Sequence, residues 1–343
     1  MARLFKLTLL IVIYFMFDLT HAAPASYKWT PGESAPRGAL LQIIYGYLEP
    51  PGQRSIDVPN RVALHNGWGE ARSHPITSNP IKPLPERLRI GFFSYTENKF
   101  YEGEFNLPYD RIVALFADGY VSPRKEGKVT YDEIIVGVAP GGGVSVWLHG
   151  FDRTTEVFFG QATEVEGDWD SINRNPKYTR EEYIRLVLED TLTKEEQGQL
   201  RTQGDRVGNW HRYHEKRYKW YPAFQDIELR DNLVRTIKYF NGEEDSFFYA
   251  TESTSNPQAR GVPSEMYFIW MRQARKNKIL KYYFDEEEIY EAFEKLGSKG
   301  QIIVLEVKRE KIDSTHHFTT RLTNGTDSIP LTKIKSKVFG ASK

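Results

Sequence analysis

No cysteine occurs among the 343 residues. That excludes disulfides, thiolate metal sites, cysteine nucleophiles and an acylated lipoprotein cysteine. No charge of one sign dominates, since Lys plus Arg and Asp plus Glu both number 46. The chain as a whole carries no field that favours nucleic acid or an anionic membrane surface. Apolar runs of membrane length are also lacking. The longest, "LTLLIVIYFMF" at 7–17, falls well short of the roughly 20 residues a spanning helix needs. Arg3 and Lys6 precede it, and Thr20-His21-Ala22 offers small residues where a signal peptidase reads. This is the pattern of a secretory signal over residues 1–22, cleaved near Ala22 or Ala23, with no stable membrane insertion of the mature chain. An exported chain without disulfides must rely on its core, and 40% apolar with 14% aromatic residues supply one.

What is present is a repetition. "YKWTP" stands at 27–31 and "YKWYP" at 218–222. Downstream of each comes an apolar β-branched run, "ALLQIIYGYLE" (39–49) and "LVRTIKYFNGEE" (233–244), read as a strand. "LRIGFFSYTENKFYEGEF" (88–105) and "YFIWMRQARKNKILKYYF" (267–284) each read as two strands about a polar Asn-Lys turn. A helix follows in both. In the first, Asn106 is a cap, Pro108 lies in the first turn, and Ile112, Leu115 and Phe116 form the stripe. In the second, Asp285 with Glu288 has capping-box spacing, and Ile289, Ala292, Phe293 and Leu296 form the stripe. Gly119 and Gly297 suit left-handed stops. Strands then return at 132–140 and 301–309, and close at 144–150 and 316–323.

The expectation is an α+β fold of two tandem copies, 27–165 and 218–337. Each copy is mostly antiparallel sheet with one amphipathic helix. A helical insertion (171–217) joins them, with capping-box spacings at Thr179/Glu182 and Thr193/Glu196.

Motifs for chemistry are few. The glycines of "APGGGVSVWLHG" (139–150) lack the Lys-Ser or Lys-Thr of a phosphate loop, and the next residues return as a strand. A tight hairpin accounts for them. Ser145 has Trp147 where a nucleophile elbow needs glycine; His149 and Asp152 lie close in sequence without making a triad. His211 with His214, and His316 with His317, bring no third metal ligand. The carboxylates of "FDEEE" (284–288) suit a helix start, and "NGT" (324–326) fits a glycosylation acceptor. "WHRYHEKRYKWYP" (210–222) interleaves bases with aromatics. Trp210, Arg212 and Tyr213, with Trp147 as a weaker choice, are the candidate partner-binding residues, because Trp, Tyr and Arg are enriched in interface hot spots. No catalytic residue, cofactor or metal is expected.

"NKFYEGEFNLPYDRIVALFADGY", "YDEIIVGVAPGGGVSVWLHG", "HEKRYKWYP" and "YYFDEEEIYEAFEKLG" resemble the landmarks of the domain of unknown function 2931 family. These are envelope proteins of Gram-negative bacteria, many of them lipoproteins. The resemblance implies a periplasmic, non-catalytic protein. It further implies an immunity function, in which the chain binds and neutralises a secreted lipase-like toxin, a phospholipase of the type VI secretion system. Without a lipobox cysteine this chain is not expected to be a lipoprotein. The second reading is an envelope scaffold or glycan-binding module, and the third a serine-type hydrolase.

Overall fold

The computed structural model of the chain describes residues 24–73, 79–122, 124–173, 175–203, 209–225, 234–248, 257–273, 276–298, 300–312 and 315–342. The segment read as a signal lies outside them. The first half opens with β1 (Ser26–Lys28), β2 (Thr30–Ser34) and β3 (Leu41–Glu49), with the short strands β4 (Ile56–Asp57) and β5 (Ala63–Leu64) on β3. Next come β6 (Ile81–Pro83), β7 (Arg87–Ser94), β8 (Lys99–Asn106), helix α1 (Tyr109–Asp118) and the ribbon of β9 (Tyr120–Val121) with β10 (Lys128–Val129). It closes with β11 (Glu133–Ala139), β12 (Gly143–Gly150), β13 (Arg153–Gln161) and β14 (Thr163–Val165). Helices α2 (Arg180–Thr191), α3 (Lys194–Gln203) and α4 (Asn209–Glu215) follow. The second half contains β15 (Tyr218–Gln225), β16 (Val234–Tyr239), β17 (Glu244–Phe248), β18 (Gln258–Arg260), β19 (Pro263–Gln273) and β20 (Lys276–Tyr283). Helix α5 (Glu286–Gly297) then leads to β21 (Ile303–Ile312), β22 (Thr315–Thr323), β23 (Ser328–Pro330) and β24 (Lys335–Ser342). The molecule is mixed α+β, mostly sheet and mostly antiparallel.

Each half packs two sheets face to face. In the first, Leu41, Ile43, Ile90 and Phe92 meet Ile134, Val136, Val144 and Val146, and Ile112 and Phe116 of α1 join the same core. In the second, Ile237, Met266 and Leu280 meet Ile303, Leu305 and Leu322, with Ile289 and Phe293 of α5. β11 is buried along its whole length, which is why "IIVGVA" after Glu133 is continuously apolar rather than alternating. α2 lies on the outer face of the β3–β7–β8 sheet, where Ile184 and Leu192 meet Leu40, Phe93 and Phe100. The Arg180 guanidinium spans Phe93, Phe100 and Trp169 at 5.0–5.5 Å.

The two YKW segments make similar contacts. β2 runs parallel to β11, and β15 runs parallel to β21. Trp29 and Trp220 are fully buried. Their indole N–H groups donate to the carbonyls of Lys82 (3.1 Å) and Gly261 (3.0 Å). Tyr27 packs on Phe116 of α1 at 5.1 Å, and Tyr218 packs on Phe293 of α5 at 5.2 Å. β3 pairs with β7 and β7 with β8, as β16 pairs with β19 and β19 with β20.

Three local expectations change. Asn106 is the last residue of β8, and Pro108 is the cap position of α1. Asn277 lies inside β20 rather than in a turn. Gly297 is helical, and its missing side chain makes room for Tyr218, whose Cδ1 would lie 2.6 Å from an added Cβ. Gly119 does end α1 at φ 58°, and Asp285 does cap α5 through the Glu288 amide. Thr179 and Thr193 each make their capping box.

Candidate functional site

One sheet of nine strands, ordered β2-β11-β12-β13-β17-β16-β19-β20-β24, runs through both halves. The halves join where Arg153 and Thr154 of β13 pair with Asp245 and Glu244 of β17. Residues directly opposite in a ladder point to the same face. Following the register therefore traces one row across all nine strands. It reads Thr30, Glu133, His149, Thr154, Glu244, Lys238, Glu265, Tyr283, Lys335. A polar row facing away from the core is what period-2 alternation produces when the other face is buried.

This row floors a groove. A cleft of about 530 Å³ at the seam is lined by Glu133, His149, Thr154, Lys238, Glu244 and Glu265 of the row. Trp68, Glu70, Trp210, Tyr213 and Phe240 also line it. A second hollow of about 410 Å³ shares Glu133 and His149 with it and extends past Lys28, Asp132 and Phe151. Phe151 is half exposed.

The loop carrying Trp68 and Glu70 closes over the seam through glycines. Gly69 sits at φ 75° with a Cβ site 2.4 Å from the Gly242 carbonyl oxygen, so only glycine fits there. Glu70 then accepts from Lys238 at 2.6 Å and from Arg37 at 2.8 Å. Burial works to raise the Glu70 carboxyl, but the two cations outweigh it and hold it below the usual range. Burial pushes Glu244 up, against the pull of Lys238.

The four residues offered by the sequence gather at this seam as packing groups. Trp147, Trp210 and Tyr213 are buried. Trp68 joins Trp147 edge-on at 4.7 Å and Trp210 at 5.1 Å. Trp210 meets Tyr213 at 5.6 Å. The indole N–H groups of Trp147 and Trp210 donate to Asn241 and Pro140 carbonyls. Arg212 lies over Tyr290 at 4.3 Å and donates to Glu286 and Glu287. Trp210 and Tyr213 line the cleft, and Trp147 packs against Trp68 of its lining. Trp68, which is half-buried between them, is a lining residue that sequence reading passed over.

Beside the row, on the same face of the sheet, runs a buried polar chain. Ser145 donates to Glu156 Oε1 at 2.6 Å and to the Phe158 carbonyl. Glu156 Oε2 bonds His214 Nδ1 at 2.9 Å and accepts from Asn241 at 3.2 Å. Glu243 accepts from the Glu156 amide and pairs with Arg217 at 2.9 Å. A catalytic triad places histidine between serine and carboxylate so that it can take the serine proton. Here the carboxylate stands in the middle. His149 bonds Thr154 at 2.8 Å, and Asp152 accepts from Ser122 at 2.6 Å. The hydrogen bond to Glu156 holds the His214 imidazole above its ordinary 6.5. Burial pushes the Glu243 carboxyl up, although Arg217 opposes it.

Other motifs resolve as structure. The glycine turn at Pro140–Gly142 has Gly141 and Gly142 at positive φ, and the Gly141 amide donates to Glu97 at 2.9 Å. In "FDEEE", Asp285 caps, Glu286 and Glu287 hold Arg212, and Glu288 accepts from the Thr332 and Lys333 amides. The Asn324 side-chain amide donates to the Leu296 carbonyl at the end of α5.

A family model described as protein of unknown function (DUF2931) matches residues 19–205. That span, over half of the chain, holds the first half with α2 and α3. The landmarks at 214–222 and 282–297 lie beyond it. Comparison with curated proteins and with solved structures gives no match.

Proposed function

The chain belongs to the DUF2931 family, and from that premise we propose that it is a binding protein that neutralises a secreted toxin without chemistry of its own. The observation that carries this is the groove. It is long and mixed in polarity, it crosses both halves, and beside its floor Ser145 bonds a carboxylate rather than a base. A neutralising protein needs a broad surface, typically ~1,200–2,000 Å² in total. A groove flanked by half-exposed Phe151 and exposed Lys28 and Arg37 gives such a surface both apolar and charged contacts. In this reading the buried aromatics at 147, 210 and 213 shape the cleft, and neighbouring exposed groups make the contact.

The resemblance in the landmark motifs names the partner as a lipase-like type VI effector and the compartment as the periplasm. The leader-like N-terminus is in keeping with that destination. We further infer that the halves are copies of one unit. Supporting this are the two parallel pairings, the two buried tryptophans whose indoles each donate to a backbone carbonyl, and the two Tyr–Phe helix contacts.

The test is co-purification with a secreted lipase encoded beside this chain, and a lipase assay with and without the protein. Inhibition is expected. Phe151→Asp with Lys28→Glu should weaken it by about tenfold or more. Undiminished lipase activity with excess protein would end the proposal.

A further inference from the structure

The sheets of this molecule treat their edges unequally. An exposed strand edge is a template for another strand, and proteins ordinarily shorten or cover it. Among the described residues, β4 has two residues and β14, β18 and β23 have three each. β2, at one end of the nine-stranded sheet, is buried over Pro31–Ser34. β24, at the other end, has eight residues and, among the described residues, pairs only with β20. Lys335 through Phe339 are all exposed, so both faces of the strand are bare. Two large apolar side chains stand there, Val338 at 57% and Phe339 at 47% exposure.

The charge on this edge is one-sided. Lys337 lies directly opposite Lys281, and Lys335 opposite Tyr283. Lys281 is held by Glu265 at 2.7 Å. Lys337 lies over the Tyr283 ring at 5.7 Å, and the described residues give neither it nor Lys335 a carboxylate. Like charges directly opposite destabilise a ladder. Lysines on an edge also discourage a second copy, whose own lysines would meet them.

We propose that β24 is a docking edge for an extended segment of another protein that carries carboxylates on one face. Such a strand would bond the outward N–H and C=O groups of β24 and cover Val338 and Phe339. Its acidic residues would lie ~5 Å from Lys335 and Lys337, turning a like-charge row into an alternating one. The proposal stands apart from the toxin reading, because it requires a strand of stated charge and not a toxin.

The experiment uses the whole chain and a labelled eight-residue peptide of alternating Glu and Val. Fluorescence anisotropy should show binding, and hydrogen exchange should show the amides of β24 newly protected. A central proline, which removes a ladder donor, should weaken binding about tenfold or more. An alternating Lys and Val peptide should not bind. The Lys335→Glu, Lys337→Glu variant should reverse that preference while keeping its circular dichroism and melting temperature. Four results would overturn the proposal. The first is equal binding of the proline peptide, which means charge adsorption. The second is self-association that protects β24, which makes a second copy the occupant. The third is binding to vesicles of phosphatidylcholine with about a third phosphatidylglycerol but not to the peptide. The fourth is no binding at all.

Discussion

At the scale of single residues, the seam is built on contacts too close for ordinary side chains. Gly137 lies under two indoles: a Cβ there would sit 2.4 Å from Trp147 and 2.9 Å from Trp68. Gly137→Ala should therefore cost about 1–3 kcal/mol through overpacking, read from urea unfolding. Ser145→Ala should cost about 1–3 kcal/mol for a different reason, since it leaves buried Glu156 Oε1 short of a donor. A serine variant as stable as the parent would show that the hydroxyl is dispensable. The sequence marked Trp210, Tyr213 and Trp147 by composition alone. Composition does not say which way a ring points, and these rings point inward. Trp68 carried no local signal, because it sits in a Gly-Trp-Gly loop and its aromatic partners lie far along the chain.

At the scale of elements, the short-range chemistry was legible and the tertiary contacts were not. The capping spacings of α2, α3 and α5 are local, and the helices start where those spacings put them. Gly297 was misread because a helix-ending glycine and a glycine making room for Tyr218 look alike in sequence. The latch of α4 is likewise invisible there: His214 stacks on Phe159 at 5.2 Å and bonds Glu156 of β13, with Arg217 and Glu215 also facing it. It has a pH signature. The folded imidazole holds its proton above 6.5, so its stabilising contribution is full below that value and is lost as pH rises through the raised folded value. Glu243 and Glu244, held above 4.5 by burial, also bind protons more readily when folded, and destabilise as pH rises. Glu70 acts oppositely, losing its contribution as pH falls below 4.5. Maximum stability is expected on the acidic side of neutrality. The melting temperature of the parent should exceed that of His214→Ala at about pH 5.5, and the gap should shrink by about pH 8.5. A gap that widens with pH would refute the latch.

At the scale of the whole molecule, the groove depends on register, which no local pattern encodes. The nine-residue row is polar at nearly every step, yet its members come from nine separated segments. A slip of one residue in any strand whose other face is buried would turn that strand's member into the core. The join between halves is narrow, with two register pairs between β13 and β17. It is reinforced by the Gly69 loop, whose Glu70 reaches Lys238 in the second half. Gly69→Ala attacks that reinforcement directly. The substituted residue must hold φ near 75°, which costs an L-residue about 1–2 kcal/mol. Its Cβ must also push the Gly242 backbone away, which parts Glu70 from Lys238. The loss should be at least about 2 kcal/mol in all. Because each half keeps its own core, the damage should fall on their coupling. Calorimetry of Gly69→Ala is expected to split one transition into two, or to broaden it, while far-UV circular dichroism before melting stays that of the parent. A single sharp transition at the parental temperature would mean that the β13–β17 ladder and the bonds of Trp147 and Glu156 to the second half hold the halves together without the loop.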